Sequence, residues 1–438
     1  MATTEACRNP APKAVNMLHT IVESRPEPPD SRPPTFDVWA DLTPSEAERL
    51  RSSFVELTVR AGERFIHCGD RADCLYLLRR GEVAVRRDSQ TLAYIATGQI
   101  VGEMALLNRE PRNADVVALT DCQLWRLSAD DFAALYHQLP RLKLLLTRLV
   151  AHRLNWSGSD VLARRIGPYQ VVEEIGRGSM GWVFRATRDG QTYAMKMLPH
   201  PLVEKPIFLE RYRTEARLLR LLRHENIVSL HDLIELYGTL FLVMEFINGI
   251  SLHVWREQSA PVNAVDVRCV AQSVTRALHT AHAQGIIHRD VKPSNVMINT
   301  AGIVKLVDFG IATDVTHEPS TGKVSLTPCY AAPEQFEGKW TPATDYYSLG
   351  VIVYELLAGE SPFTANSIDD WMRAHREVQP RPLPGNNPED LKGFVNAALT
   401  KDPNQRWAQL QSFLQSWSGQ TAALTISRPP ALSAPQPA

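Results

Sequence analysis

His288-Arg289-Asp290-Val291-Lys292-Pro293-Ser294-Asn295 is followed, thirteen residues after its Asn, by Asp308-Phe309-Gly310. A carboxylate, an ammonium, a carboxamide and a second carboxylate in this order suit phosphoryl transfer. One carboxylate sits beside the hydroxyl that attacks, while a carboxamide and a second carboxylate hold Mg²⁺ on the phosphates. A buried ion pair would account for His-Arg-Asp alone, but not for both strings together.

The region upstream adds phosphate-binding parts. Ile175-Gly176-Arg177-Gly178-Ser179-Met180-Gly181-Trp182-Val183 reads G-x-G-x-x-G-x-V, and glycines let a backbone turn tightly and approach phosphate closely. A dinucleotide-binding fold uses a similar string, but between a strand and a helix. Here the flanks Tyr169–Ile175 and Trp182–Ala186 read as two strands of a hairpin. Lys196, fifteen residues after Gly181 on an apparent strand, offers an ammonium to the α- and β-phosphates. Glu215, on an amphipathic helix before Arg223-His224-Glu225-Asn226, is a candidate partner for Lys196; Glu210 is the other carboxylate on that helix.

Together these strings resemble the eukaryotic-type Ser/Thr protein kinases, most closely the bacterial ones, over about residues 168–416. The resemblance extends to Met244-Glu245-Phe246, Ala332-Pro333-Glu334, Asp345 in Asp345-Tyr346-Tyr347-Ser348-Leu349-Gly350, and Arg406, which in the family pairs with the Glu at position 334. It implies a two-lobed α+β fold with the β-rich lobe first and ATP between the lobes. The implied ATP-binding residues are Ile175, Gly176, Gly178, Gly181, Val183, Lys196, Glu215, Glu245 and Ile247. The implied catalytic residues are Asp290 as base, Lys292 on the γ-phosphate and Lys196, with Asn295 and Asp308 holding Mg²⁺. Lys292, and Thr327 before Pro328, resemble the Ser/Thr class, so the expected partners are proteins with Ser or Thr hydroxyls. Leu326, Cys329 and Ala331 depart from the bacterial pattern near the peptide-docking loop, which bears on substrate preference. Arg289 before Asp290 implies phosphorylation within 310–332, at Thr321 first, with Ser320 and Ser325 as alternatives. A catalytically silent kinase-fold scaffold is the competing class. Such proteins usually lose the Lys or Asp residues that all stand here.

The N-terminal part reads differently. Thr43-Pro44-Ser45-Glu46 is a capping box that opens a short helix. Short β-like runs follow at Val55–Val59, Arg64–His67, Leu75–Leu78, Glu82–Arg86, Leu92–Ile95, Asp115–Leu119 and Gln123–Leu127, with Gly62, Gly69 and Gly81 at turns. Ser128 caps another helix, and about Pro140 to Asn155 an amphipathic helix carries Leu142, Leu145, Leu146, Leu149 and Val150 on one face. Strands closed by helices predict a β-barrel or jelly roll. Within it, Gly102-Glu103-Met104-Ala105-Leu106 leads to Pro111-Arg112-Asn113, ten residues from Gly102 to Arg112. A Gly-led helix start presents N–H groups to an anion, and an Arg can fork onto a phosphodiester. This resembles the phosphate-binding cassette of cyclic-nucleotide-binding domains. By that resemblance Gly102, Glu103, Ala105, Arg112 and Asn113 contact the ligand, Glu103 at the ribose 2′-OH and Arg112 at the cyclic phosphate. cAMP and cGMP both stay open as the regulatory ligand, with cAMP preferred; a barrel that serves as a ligand-free docking module is the alternative. Transcription regulators with this barrel continue into a helix-turn-helix; here a kinase-like region takes its place.

The chain therefore divides into a Pro-rich, disordered 1–36, a nucleotide-binding-like domain 37–156, a linker 157–167, a kinase-like domain 168–418 and a disordered tail 419–438. Residues 1–36 contain seven Pro, a composition that keeps chain extended and solvated. At 438 residues, 44% hydrophobic and 22% charged, the chain has the composition of a globular protein with two or three domains. A formal net charge of −1 gives no global attraction to nucleic acid or to anionic membranes, and neither partner is expected. Six scattered Cys without a C-x-x-C suit free thiols in a reducing cytoplasm. The apolar run Leu349–Tyr354 reads as a core helix rather than a membrane span.

Overall fold

The computed structural model describes residues 37–87, 90–155, 164–178, 181–203, 206–259, 262–309, 327–385, 387–418 and 425–427, without the side chains of 206–208, 211 and 215. The Pro-rich 1–36 and the candidate phosphosites Ser320, Thr321 and Ser325 lie outside these residues. The described residues form two compact units, one of 37–209 with 232–244 and the other of 210–231 with 245–427.

The first unit begins with α1 (Pro44–Ser52), whose capping box is complete: Glu46 N–H donates to Thr43 Oγ1 and Thr43 N–H to Glu46 Oε2. Eight strands follow, β1 (Val55–Val59), β2 (Arg64–Ile66), β3 (Cys74–Arg80), β4 (Glu82–Arg87), β5 (Gln90–Ala96), β6 (Ile100–Val101), β7 (Asp115–Ala118) and β8 (Cys122–Ser128), with α2 (Glu103–Asn108) between β6 and β7. They form two four-stranded antiparallel sheets, β1-β8-β3-β6 and β2-β7-β4-β5. Strand β3 is apolar at successive positions because both of its faces are covered. Leu75 and Leu77 enter a core under the helices, while Cys74, Tyr76 and Leu78 enter the core between the sheets, following the period of two along a strand. Helices α3 (Ala129–Gln138) and α4 (Pro140–Asn155) close the barrel.

The leucines Leu142, Leu145, Leu146 and Leu149 of α4 pack into the barrel core. Its last turns carry Val150, Ala151 and Leu154 into a second core, with Tyr169, Phe184, Met195 and Phe241. That core lies against a six-stranded antiparallel sheet of order β13-β14-β12-β11-β10-β9, built from β9 (Arg165–Ile166), β10 (Tyr169–Gly178), β11 (Gly181–Arg188), β12 (Gln191–Met197), β13 (Leu230–Leu236) and β14 (Thr239–Glu245). Between β12 and β13 run α5 (His200–Val203) and α6 (Pro206–Leu221).

The second unit contains the small sheet β15 (Gly249–Ser251), β16 (Val296–Asn299) and β17 (Val304–Leu306), and six helices: α7 (Leu252–Ser259), α8 (Ala264–Ala283), α9 (Pro342–Ala358), α10 (Ile368–Glu377), α11 (Glu389–Ala398) and α12 (Pro403–Ser418). From Ala343 to Leu356 every residue of α9 is buried, the polar Thr344, Asp345, Ser348 and Glu355 included. Among the described residues no helix is long and apolar enough to cross a membrane, and the five described cysteines are free thiols.

Ordered backbone crosses two of the expected boundaries. Residues 157–167, expected to be a linker, include β9, which pairs with Tyr169 and Gln170 of β10 across Gly167-Pro168. Gly167 has φ +56° at the first central position of this two-residue turn, where positive φ favours glycine. The tail 419–438, expected to be disordered, returns to the second unit at Thr425–Ser427. Ile426 is 3% exposed and its N–H donates to Gly302 O at 2.8 Å, while Ser427 donates from N–H and Oγ to the Asp266 carboxylate at 2.6 and 2.8 Å. Strands β13 and β14, not among the expected runs, join the large sheet from across α6. Their pairing partners are remote in sequence, so their short apolar runs carry little local signal.

His200 is fully buried where α4 meets α5. Its Nε2–H donates to Tyr237 O at 2.8 Å, and its Nδ1 lies 2.9 Å from the Thr147 hydroxyl oxygen. Burial, opposed by the Tyr237 carbonyl, pushes its pKa down to about 4. The unfolded chain, with a histidine pKa of about 6.5, therefore takes up a proton that the fold refuses. The neutral ring's contribution is present above pH 6.5 and is lost as pH falls toward 4, by up to about 3 kcal/mol. We expect the wild-type melting temperature to fall more steeply than that of His200→Gln across this window; parallel slopes would contradict the assignment.

Candidate active site and nucleotide pocket

The loop between α8 and β16 is held from α9. Asp345 Oδ2 accepts the His288 N–H at 2.8 Å and Oδ1 the Arg289 N–H at 2.8 Å, and Oδ2 also accepts from His282 Nε2 at 2.7 Å. Burial pulls the Asp345 carboxyl up, but the hydrogen bond and charge of His282, with the His288 backbone N–H, outweigh it and hold the group below the usual aspartate value. His288 is itself fully buried; burial lowers its pKa. Its neutral ring donates from Nε2 to Val307 O and accepts the Asp290 N–H at Nδ1. Arg289 and Asp308 both hold left-handed backbone, at φ +69° and +56°, and Phe309 packs on His288 with centroids 4.7 Å apart.

This frame gathers the expected catalytic groups. Asp290 Oδ2 lies 2.7 Å from Lys292 Nζ. Thr327 Oγ1 donates to Asp290 Oδ1 at 3.1 Å and accepts from Lys292 Nζ at 3.1 Å. Asn295 uses its Nδ2 to donate to Asp290 O at 2.8 Å and Oδ2 at 3.2 Å. Behind the loop Arg406, 0% exposed, forks onto Glu334 at 2.6 and 3.1 Å. Glu245 pairs with Lys305 at 3.0 Å, and Ile247 follows it in the chain. Among the described residues no group of three or more His, Cys, Asp or Glu is arranged to hold a metal ion.

In the first unit the glycine-rich string forms the expected hairpin, with Gly176 opposite Val183 and Gly178 opposite Gly181; Ile175 stands on the same strand, 44% exposed. A Cβ on Gly181 would lie 2.0 Å from Met197 O, so only glycine fits there. Lys196 is buried on β12 opposite Val183. Glu215 lies on α6 with its side chain outside the described set, and Glu210 pairs with Arg213.

The barrel places its expected residues around a cavity of about 120 Å³ lined by Gly102, Glu103, Ala105, Arg112 and Asn113. Gly102, at φ +86°, caps α2, and a Cβ there would meet Arg112 Nη1 at 2.7 Å. Arg112 is buried and donates to Gly102 O at 2.6 Å and to Cys74 O at 2.5 Å. Glu103, 2% exposed, pairs with Arg153 Nε of α4 at 2.8 Å.

Residues 169–418 match the protein kinase domain, and residues 56–138 the cyclic nucleotide-binding domain. The chain belongs to the protein kinase domain family. It is 36% identical over 277 residues to the serine/threonine-protein kinase PknA of Mycobacterium tuberculosis, covering 60% of this chain and 63% of that protein. It is 37% identical over 262 residues to the serine/threonine-protein kinase Pkn1 of Myxococcus xanthus, covering 57% of this chain and 38% of the relative. The chain thus matches less than two thirds of the length of these relatives.

Three residues of this kinase chain escaped the sequence reading. His282 orients Asp345 from α8; no motif marks it. Arg153 carries a signal, a cation among the buried positions of α4. Tyr237 lines the barrel's cavity from the β13–β14 turn, with no local sign of doing so.

Removing one partner of a buried ion pair typically costs about 3–5 kcal/mol. Arg406→Ala leaves Glu334 buried without its cation and should lower the unfolding free energy by about that amount in urea titration. A loss below about 1 kcal/mol would show that the pair does not brace the loop.

Proposed function

We propose that this chain is a Ser/Thr protein kinase that transfers the ATP γ-phosphate to protein Ser or Thr hydroxyls and is regulated by a cyclic nucleotide bound in the barrel. One contact carries the kinase reading: the Thr327 hydroxyl donates to Asp290 beside Lys292. Asp290 thus accepts a hydrogen bond from a hydroxyl, the geometry a substrate Ser or Thr would need. In the proposed step the substrate oxygen bonds to the γ-phosphorus, the bond to ADP breaks, and the hydroxyl proton passes to Asp290. Lys292 neutralises the transferring phosphoryl group.

Toward ATP, Gly176, Gly178 and Gly181 offer backbone to the phosphates, Lys196 binds them with Glu215 as its orienting partner, and Ile175, Val183, Glu245 and Ile247 contact the nucleoside. Asn295 spends its amide hydrogens on Asp290, so its Oδ1 oxygen suits a hard cation, with Asp308 as the second ligand. Two protein oxygens suit Mg²⁺, which is commonly shared with substrate phosphates; when bound it would neutralise phosphate charge. Arg289, whose guanidinium lies 5.7 Å from the Trp340 ring, would receive a phosphate on Thr321, Ser320 or Ser325. In the barrel, Arg112 takes the cyclic phosphate and Glu103 the ribose hydroxyl, with Gly102, Ala105 and Asn113 around them.

Asp290→Asn should lower phosphoryl transfer by about 10²-fold or more while ATP still binds. Transfer at the parent rate would overturn the assignment, and no transfer by the parent would favour the scaffold reading. Peptide mapping of the same ATP–Mg²⁺ incubation should find phosphate at Thr321; none between 314 and 325 on active enzyme would refute that site. Coupling between binding sites typically spans about 5–150-fold. Autophosphorylation should therefore change by a factor in that range with cAMP or cGMP, and Arg112→Ala should abolish the response at concentrations that saturate the parent. A response that survives in Arg112→Ala would rule out this pocket.

A further inference from the structure

The nucleotide cavity has one wall that the barrel does not supply. Tyr237 lines it together with Glu103, Arg112 and Arg153, yet Tyr237 stands on the turn between β13 and β14 of the kinase sheet. Three features fix it there. Its N–H donates to Asn108 Oδ1 at the end of α2, at 2.7 Å. Its carbonyl accepts from His200 Nε2 at 2.8 Å. Its backbone is left-handed at φ +53°, an outlier for a bulky residue that surrounding contacts must sustain. Tyr237 is 9% exposed.

We propose that the nucleotide site is composite, with Tyr237 of the kinase sheet as a binding residue for the cyclic nucleotide. This rests on the cyclic-nucleotide reading of the barrel. Such a ligand brings one negative charge, a sugar hydroxyl and a flat base. Arg112 and Glu103 answer the first two. Among the described residues lining the cavity, Tyr237 alone is aromatic; the rest of the lining is aliphatic, polar or charged. The present volume of about 120 Å³ is below the roughly 300 Å³ at which small-molecule pockets begin, so the wall must yield when a nucleotide enters. The β13–β14 turn is a wall element whose Tyr237 N–H donates to Asn108 of the barrel. A ligand that presses on this turn acts on the kinase sheet directly, in addition to any movement of α4.

The test measures cAMP and cGMP affinity of the full chain by titration calorimetry. Losing an aromatic stacking partner costs a base about ten-fold or more in affinity. Tyr237→Ala should therefore bind about ten-fold more weakly, and Tyr237→Phe like the parent. Asn108→Ala keeps the ring but releases the turn, and should weaken binding by at least about three-fold. Tyr237→Ala that melts like the parent and binds within two-fold of it overturns the proposal. If Tyr237→Ala fails to fold, Asn108→Ala decides: affinity within two-fold of the parent overturns the proposal. If the parent and all variants bind neither nucleotide, the cyclic-nucleotide reading falls and this one with it, an outcome distinct from a loss confined to Tyr237.

Discussion

Helix α4 is buried twice. At 1.5 Å per residue its sixteen residues span about 24 Å, long enough to reach two cores. Leu142 to Leu149 fill the core beneath the barrel, and Val150, Ala151 and Leu154 fill the core behind the six-stranded sheet. A helix committed at both ends cannot shift on one without disturbing the packing of the other, because interiors are close-packed and resist small displacements. Its buried polar contacts sharpen this constraint. Thr147 meets His200 of the kinase part, and Arg153 meets Glu103 of the nucleotide cassette. Each of these directional bonds ties the helix to a specific place, and so specifies its register more than it adds to net stability.

The catalytic loop depends on a comparable economy of anchors. One carboxylate, Asp345, accepts two consecutive backbone N–H groups and a histidine. Arg289 and Asp308 hold uncommon backbone conformations, each costing on the order of 1–3 kcal/mol, and the hydrogen bonds around them sustain that cost. Asp290 is therefore positioned both by its neighbours His288, Lys292 and Asn295 and by a frame whose parts come from α8, α9 and the strand ends.

What the sequence revealed follows from the range over which each feature is determined. Motif residues such as Asp290, Lys292, Asn295 and Asp308 declare themselves because the chemistry requires them at set spacings. Strand β1 and helix α4 were legible to the residue, since alternation and a leucine face are local patterns. The strands β13 and β14 were not, because they find their partners across a helix. Neither was β9, two residues long, nor the returning tail, in whose described residues 425–427 Ile426 is the buried apolar one. Tyr237 marks the limit of such reading: it answers to Asn108, 129 residues earlier, and nothing beside it in the chain encodes that meeting.

The strap at Thr425–Ser427 separates two meanings of a domain boundary. Similarity to the kinase family ends at residue 418, but the folded unit does not. Asp266, 1% exposed near the start of α8, receives two of its hydrogen bonds from Ser427, and the Gly302 turn receives its cover from Ile426. A fragment cut where the similarity stops would carry every proposed catalytic residue, yet would strip two donors from a buried carboxylate and uncover the apolar bed of an isoleucine. The shortest piece with the family's chemistry is thus shorter than the shortest piece with its own closed surface.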